Sequence, residues 1–259
     1  MLQMYSVPDK ISIKHINSYS PLLFLHFKKN VVKNMIPINT CIFDLDGVIC
    51  DTAKYHFKAW RRLANELGFD FSEEDNEKLK GVSRTESLNL ILNWGGKVIH
   101  DDEEKDILAQ KKNEWYLEFV NRMTPDEILP GVVHFLDELK IAKIKIVLGS
   151  ASKNSMLILD RLNLTHYFDA IIDGTKTTHS KPNPEVFLLG AEAVGAEPKD
   201  CIVFEDAEKG IEAALKGGFY TVGVGAPDVL DDAHIVIPSF EYIDYGEILD
   251  ALNTVTRKK

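Results

Sequence analysis

Two carboxylates stand two residues apart in Phe43-Asp44-Leu45-Asp46-Gly47, directly after an apolar run. Alternate side chains of a strand share a face, so Asp44 and Asp46 can project to the same side. Such a pair suits phosphoryl chemistry. Asp44 would attack phosphorus and form an acyl-phosphate, splitting one difficult transfer into two easier ones. Asp46 would protonate the leaving oxygen and deprotonate the incoming one. Alone, the same residues fit a turn with Asx capping equally well.

Three later segments supply what an aspartate nucleophile lacks. Gly149-Ser150-Ala151-Ser152 follows the apolar run 145–148 and precedes a helical stretch containing Asn154. Its hydroxyls and helix N-terminal N–H groups suit an anion, although either serine could simply be an N-cap. Ser180-Lys181-Pro182-Asn183-Pro184 sets a lysine before a proline-marked helix start, where a fixed cation can neutralise a transferring phosphoryl group. Val203-Phe204-Glu205-Asp206 ends another apolar run with adjacent carboxylates, hard oxygen ligands suited to Mg2+.

Further candidates lie between the first two segments. Gly81-Val82-Ser83-Arg84 follows a charged helical stretch, and the planar fork of Arg84 suits bidentate binding of a second phosphate. Thr52, His56 and Trp60 recur every four residues, which lines them along one helix face. Lys111 and Lys112 sit together in a helical run. Read without context, His56 is a partly buried helical histidine, Trp60 is core packing, and the lysine is a solvated charge.

These residues need a scaffold, and the hydrophobic pattern provides one. A strand at TCIFD leads through a turn at Asp46-Gly47 into a helix from about residue 53 to 67. From about 53 to 122 the spacing is amphipathic without any strand-like run, which predicts a helical insert. Beyond Pro130 the pattern alternates. Helices are expected near 132–139, 155–162, 184–194 and 207–216, and strands at 145–148, 169–172, 201–204, 220–224 and near 234–237. Strands rich in Val and Ile and separated by helices imply a parallel sheet covered on both faces, with ligands at the carboxyl ends of its strands. All four motif segments fall at such ends.

Composition bounds the rest. With 259 residues and 45% hydrophobic, the chain can bury a substantial core. A net charge of −10 argues against a nucleic-acid surface. Cys41, Cys50 and Cys201 show no CxxC spacing, pointing to a reducing, cytoplasmic setting. No apolar run approaches a membrane span, and the 21–27 stretch is too short for a signal peptide. Residues 1–34 carry five Lys against one Asp and no clear periodicity. They are expected to be a disordered arm or a non-native extension, with Met35 the functional start.

The order and wording of the motifs resemble the haloacid dehalogenase superfamily from about Ile38 to the C-terminus. The resemblance implies an α/β fold, a Rossmann-like parallel-sheet core at 35–51 and 129–259, with a helical-bundle cap inserted after the first strand at 52–128. It makes Asp44 the nucleophile and Asp46 the general acid/base, with Ser150 and Lys181 holding the phosphoryl group. Asp44, the backbone carbonyl of Asp46 and Asp206 become Mg2+ ligands, with Glu205 contributing. Among the superfamily's sugar-phosphate mutases, the strings around Gly81, Val82, Ser83 and Arg84 and around Ser150, Ala151, Ser152 and Asn154 look like phosphate-binding motifs. Thr52 resembles a hinge threonine, His56 a residue that positions the acid/base, Trp60 a sugar-facing aromatic and Lys112 a cap lysine, with Lys111 competing for that register. Gly149 departs from the pattern, since an alanine is familiar there, and so does the long N-terminal arm.

The expected reaction interconverts a sugar 1-phosphate and 6-phosphate, with glucose 1,6-bisphosphate as catalytic activator. The expected enzyme is a monomer whose partner is a small phosphorylated sugar, with no nucleic acid or membrane. A phosphatase with the same nucleophile, a catalytically idle binder of sugar phosphates and, formally, a dehalogenase are the alternatives. A mutase must hold a bisphosphate and keep water from the acyl-phosphate, so Thr52, His56 and Arg84 together favour it.

Overall fold

Thr-Cys-Ile-Phe at 40–43 is apolar throughout and has no water-facing side, which suits a strand covered on both faces. In the computed structural model, which describes residues 36–256, it forms β1 (Thr40–Phe43) at the middle of a six-stranded parallel sheet. The other strands are β2 (Lys145–Gly149), β3 (Ala170–Ile172), β4 (Cys201–Glu205), β5 (Tyr220–Val224) and β6 (Ile235–Ile237), in the order β3-β2-β1-β4-β5-β6. The order reverses at β1. Strands β2 and β3 are added on one side and β4, β5 and β6 on the other, so the carboxyl ends of β1 and β4 flank the switch point where such sheets open a crevice. The expectations for residues 1–34 lie outside the described residues.

Alternation along β1 divides the core. Cys41 and Phe43 face one side, where Phe43 stacks on Phe204 with ring centroids 4.7 Å apart and Phe135 meets both edge-on. Phe135 comes from α5 (Val132–Ile141). Ile42 faces the other side with Val147, Val203 and Phe187, the last from α7 (Glu185–Ala193). Helices α6 (Ser155–Arg161) and α8 (Glu208–Lys216) complete the alternation. The sequence pattern did not reveal α9 (Tyr245–Thr256), although its buried Tyr245, Ile248 and Leu252 follow helical spacing.

Between β1 and α5 the chain leaves the sheet and forms α1 (Ala53–Glu66), α2 (Glu73–Glu77), α3 (Arg84–Trp94) and α4 (Asp102–Val120). Among the described residues this insert contains no strand. Helices α1 and α4 pack through Tyr55 on Phe119 (5.3 Å) and His56 on Tyr116 (4.1 Å). The outgoing and returning chains meet again where Cys50 bridges Ile128 and the Leu129 N–H donates to the Ile49 carbonyl at 3.0 Å. The two chain connections between insert and core therefore run side by side, over the carboxyl end of β1.

Candidate active site

Where β1 ends, the Asp44 N–H still donates to the Phe204 carbonyl of β4, which holds the nucleophile candidate on the rigid edge of the sheet. The chain then turns, and the Asp46 N–H donates to Asp44 Oδ2 at 2.9 Å. Gly47 has φ +78°, and a Cβ there would lie 2.1 Å from Asp206 Oδ2. Only glycine lets the Asp44–Gly47 loop and the end of β4 approach so closely.

Lys181 is buried beneath this loop, its Nζ 2.5 Å from both Asp44 Oδ1 and Glu205 Oε1. Burial alone would lower its pKa, but the Asp44 and Glu205 charges outweigh that and hold the ammonium above its ordinary range. Glu205 is itself pushed up, chiefly by burial and then by Asp44 and Asp206, against the pull of Lys181. Its other oxygen accepts the Ala207 N–H at 2.9 Å.

Asp46 is turned toward the insert. The Thr52 hydroxyl donates a short hydrogen bond to Asp46 Oδ1, and the Tyr116 hydroxyl donates to Thr52 Oγ1 at 3.2 Å. Burial, followed by the charge of Asp44, raises Asp46 to about 7. A carboxyl poised near neutrality can both give and take a proton, which is what general acid/base work requires.

Ser150 follows β2, and its Oγ accepts the Ser152 N–H at 3.1 Å, while Ser152 Oγ accepts the Asn154 N–H at 3.2 Å. Neither serine is the N-cap of α6, since Asn154 occupies that position. The hydroxyl turns instead shape the loop facing Asp44. The Asn154 side-chain amide donates to Asn113 of α4 at 3.0 Å.

The insert contributes the opposite wall. Lys112, almost wholly buried, lies 2.8 Å from His56 Nδ1 and 4.3 Å from the Trp60 ring centroid. Lys111 points away to Glu66, so of the two lysines it is Lys112 that lines the cavity. Burial, then the charge of Arg84, pulls Lys112 well below its ordinary pKa. Burial, then Lys112 and Arg84, does the same to His56. Among the described residues Arg84 makes no ion pair, and its half-buried guanidinium faces the same cavity. Arg84 gives this wall a cation that has no carboxylate partner among the described residues.

A cavity of about 120 Å³ lies between the two halves. Asp44, Asp46, His56, Trp60, Gly81, Val82, Arg84, Lys112, Ser150, Ala151, Ser152, Asn154, Glu205 and Asp206 line it. Thr52 and Lys181 stand behind, each bonded to one of the aspartates. Ser83 does not face the cavity. It caps α3, accepting the Glu86 N–H at 3.4 Å, and lines a neighbouring recess. Its side chain serves as a helix cap, for which a serine ahead of a first turn is well suited.

Sequence reasoning missed Asp51, Asn76, Lys80 and Ser87 on the lining and Tyr116 behind it. Tyr116 lies four residues after Lys112 on the same helix face, a spacing that could have revealed it. Lys80 immediately precedes Gly81, whose φ of +71° turns the chain so that it packs on the Lys181 side chain.

Among the described residues no three His, Cys, Asp or Glu side chains form a ready metal cage. The reason is visible in the ion pairs. Lys181 occupies Asp44 and Glu205, Lys80 lies 3.1 Å from Asp206 Oδ2, and one expected ligand is a backbone carbonyl. The donor set itself, carboxylate and carbonyl oxygens packed against Gly47, fits a hard cation such as Mg2+.

Comparison with known proteins matches residues 38–218 to the haloacid dehalogenase-like hydrolase family. The chain is 43% identical over 197 residues to a β-phosphoglucomutase of Bacillus subtilis (strain 168), covering 76% of this chain and 87% of that protein. It is 31% identical over 221 residues to a phosphorylated carbohydrates phosphatase of Thermotoga maritima, covering 83% and 98%. The crystal structure of a Clostridium difficile β-phosphoglucomutase superposes with a TM-score of 0.82 at 41% identity, covering 85% of this chain and 99% of that one.

Proposed function

The chain belongs to the haloacid dehalogenase-like hydrolase family, and on that premise we propose that it is a β-phosphoglucomutase, interconverting β-D-glucose 1-phosphate and glucose 6-phosphate. One observation carries the choice of mutase over phosphatase. Across the cavity from Asp44 stands the Arg84 guanidinium, which among the described residues makes no ion pair with a carboxylate, and beside it Lys112 bonded to His56. A hydrolase needs one phosphate site, whereas a mutase needs a second, opposite the nucleophile.

In this reading Asp44 Oδ attacks the transferring phosphorus, and the P–O bond to the donor sugar or bisphosphate breaks. Asp46, protonated by virtue of its burial, delivers its proton to the departing sugar oxygen and later takes one from the incoming hydroxyl. Thr52 holds Asp46 toward that oxygen, and Tyr116 holds Thr52. Lys181 and Ser150 balance the charge and fix the oxygens of the transferring group. Arg84 grips the phosphate that is not reacting, so the sugar can turn over and present its other end. Trp60 packs beside Lys112, where the sugar would lie, and the insert excludes water from the acyl-phosphate.

Mg2+ would be held by Asp44, the Asp46 carbonyl, Glu205 and Asp206, and would supply charge neutralisation at the transferring phosphoryl oxygens. Glucose 1,6-bisphosphate fits as activator, since it phosphorylates Asp44. The boundaries 52–128 for the insert, a monomeric state and a cytoplasmic location belong to the same reading. Among the described residues no helix is long and apolar enough to cross a membrane.

The test is a coupled assay with Mg2+, β-glucose 1-phosphate and a trace of the 1,6-bisphosphate, following glucose 6-phosphate and free phosphate together. Glucose 6-phosphate with little free phosphate is expected. Predominant free phosphate would make the chain a phosphatase, and neither product would point to a different sugar.

A further inference from the structure

Lys80 has no part in the chemistry described above, yet it reaches the centre of the site. It belongs to the insert, in the loop between α2 and α3, and its Nζ lies 3.1 Å from Asp206 Oδ2 in the core. The same ammonium lies 2.9 Å from Glu77 Oε2, one helical turn earlier. The two partners differ. Asp206 is largely enclosed, its side chain 11% exposed, while Glu77 is 60% exposed. Lys80 therefore bridges an inner carboxylate and an outer one.

The inner carboxylate is hemmed in on one side, where a Cβ at Gly47 would lie 2.1 Å from Asp206 Oδ2. A divalent ion bound by Asp206 would thus meet the Lys80 ammonium at the same oxygen, and two cations a few ångströms apart in a largely buried site repel strongly. One must leave. Only Lys80 has somewhere to go, because Glu77 already accepts it.

We propose that Lys80 is a tethered cation that competes with the divalent ion for Asp206 and, while it holds Asp206, ties the insert to the core. Metal binding transfers Lys80 to Glu77 and releases that tie, so metal loading frees the insert to admit a sugar phosphate. The Arg84 grip on the substrate's second phosphate then supplies the next tie. No bond is made or broken in this exchange of ion pairs. The inference rests on the reading that Asp206 helps to hold Mg2+.

Linkage makes the effect reciprocal, which permits predictions of opposite sign. Mg2+ is titrated by calorimetry into the metal-stripped full-length chain and its variants. Lys80→Gln is expected to tighten the Mg2+ Kd by about 5- to 50-fold. Glu77→Gln, which removes the refuge, is expected to weaken it by about 2- to 5-fold, within the range of a single partly exposed pair. The double variant should follow Lys80→Gln.

Hydrogen exchange at the insert tethers, residues 49–53 and 128–130, gives a second reading that does not depend on turnover. Mg2+ should raise exchange there in the wild type. In Lys80→Gln exchange should be high from the start and unmoved by Mg2+. If the wild type binds Mg2+ and Lys80→Gln binds it no tighter, the competition is refuted while the metal reading stands. If the wild type binds no Mg2+, both fall together.

Discussion

The two walls of the cavity handle charge in opposite ways. On the core side every carboxylate has a partner, from the core itself or reaching in from the insert. Asp44 and Glu205 share Lys181, Asp206 has Lys80, and Asp46 has the Thr52 hydroxyl. On the insert side Lys112 and Arg84 lie near each other and near His56, and among the described residues neither makes an ion pair with a carboxylate. The core wall is organised whether or not substrate is present, which is what a reaction centre needs. The insert wall lacks its counter-charge, and a phosphate dianion would supply it. Reaction and recognition are thus divided between two structural elements.

The sharpest break of that division is Asp44→Asn. It should abolish the phosphoenzyme, detected by intact mass after incubation with the bisphosphate, and lower kcat by roughly 10⁴-fold or more, as loss of a nucleophile does. Substrate affinity should survive, because the insert wall is untouched. Loss of binding along with turnover would mean the two walls are not separable.

Arg84→Ala tests the other wall. Truncating one partner of a buried charged contact costs about 2–5 kcal/mol, so mutase turnover should fall by roughly 30- to several thousand-fold. Hydrolysis of a small aryl phosphate, which has no second phosphate, should change little. An equal loss in both assays would contradict the assigned role.

Thr52→Val probes the joint between the walls. Asp46 must be protonated to act as acid, so activity should decline as pH rises through about 7. The Thr52 hydrogen bond favours the carboxylate form and lowers that value, so its removal should shift the decline to higher pH, with kcat reduced by about tenfold through poorer positioning. A shift to lower pH would overturn the assignment.

His56→Asn should have the smallest effect, and it concerns stability. The folded chain holds His56 well below its ordinary pKa of 6.5, so below that pH the unfolded chain binds a proton that the folded chain does not. Stability is therefore lost as pH falls below about 6.5, by at most about 1.4 kcal/mol per pH unit. Denaturant unfolding of His56→Asn should show a shallower slope between pH 6.5 and 5. An unchanged slope would mean that His56 is protonated in the native state.

The core wall was legible because each of its residues closes an apolar strand, and parallel strands bring their carboxyl ends to one edge. Asp44, Ser150 and Asp206 could be grouped on that rule alone. Ser180-Lys181 read as a cation ahead of a helix start, and the fold brings Lys181 to Asp44 and Glu205. The insert wall was legible only in part. Thr52, His56 and Trp60 share a helix face, but nothing local announces that Tyr116, on a helix about 60 residues away, closes the Thr52 relay. Ser83 was grouped with Arg84 by the resemblance of their string to a phosphate-binding motif, and in the fold its side chain caps α3. Lys80 was not singled out, since a lysine's partner across a cavity leaves no trace in spacing.

The sequence by itself determined the inventory and the order of the chemistry: an aspartate pair, a hydroxyl turn, a lysine and an acidic strand end, carried by alternating strands and helices. Those follow from local rules, because periodicity and turn residues act over a few positions. Only the tertiary structure decided which cations would face which acids. That choice gave Lys181 to Asp44 and Glu205, left Arg84 and Lys112 without carboxylate partners among the described residues, and brought Lys80 of the insert to Asp206 of the core. Electrostatic energy depends on distance and burial between segments far apart in the chain, and neither exists until the insert folds back over the sheet.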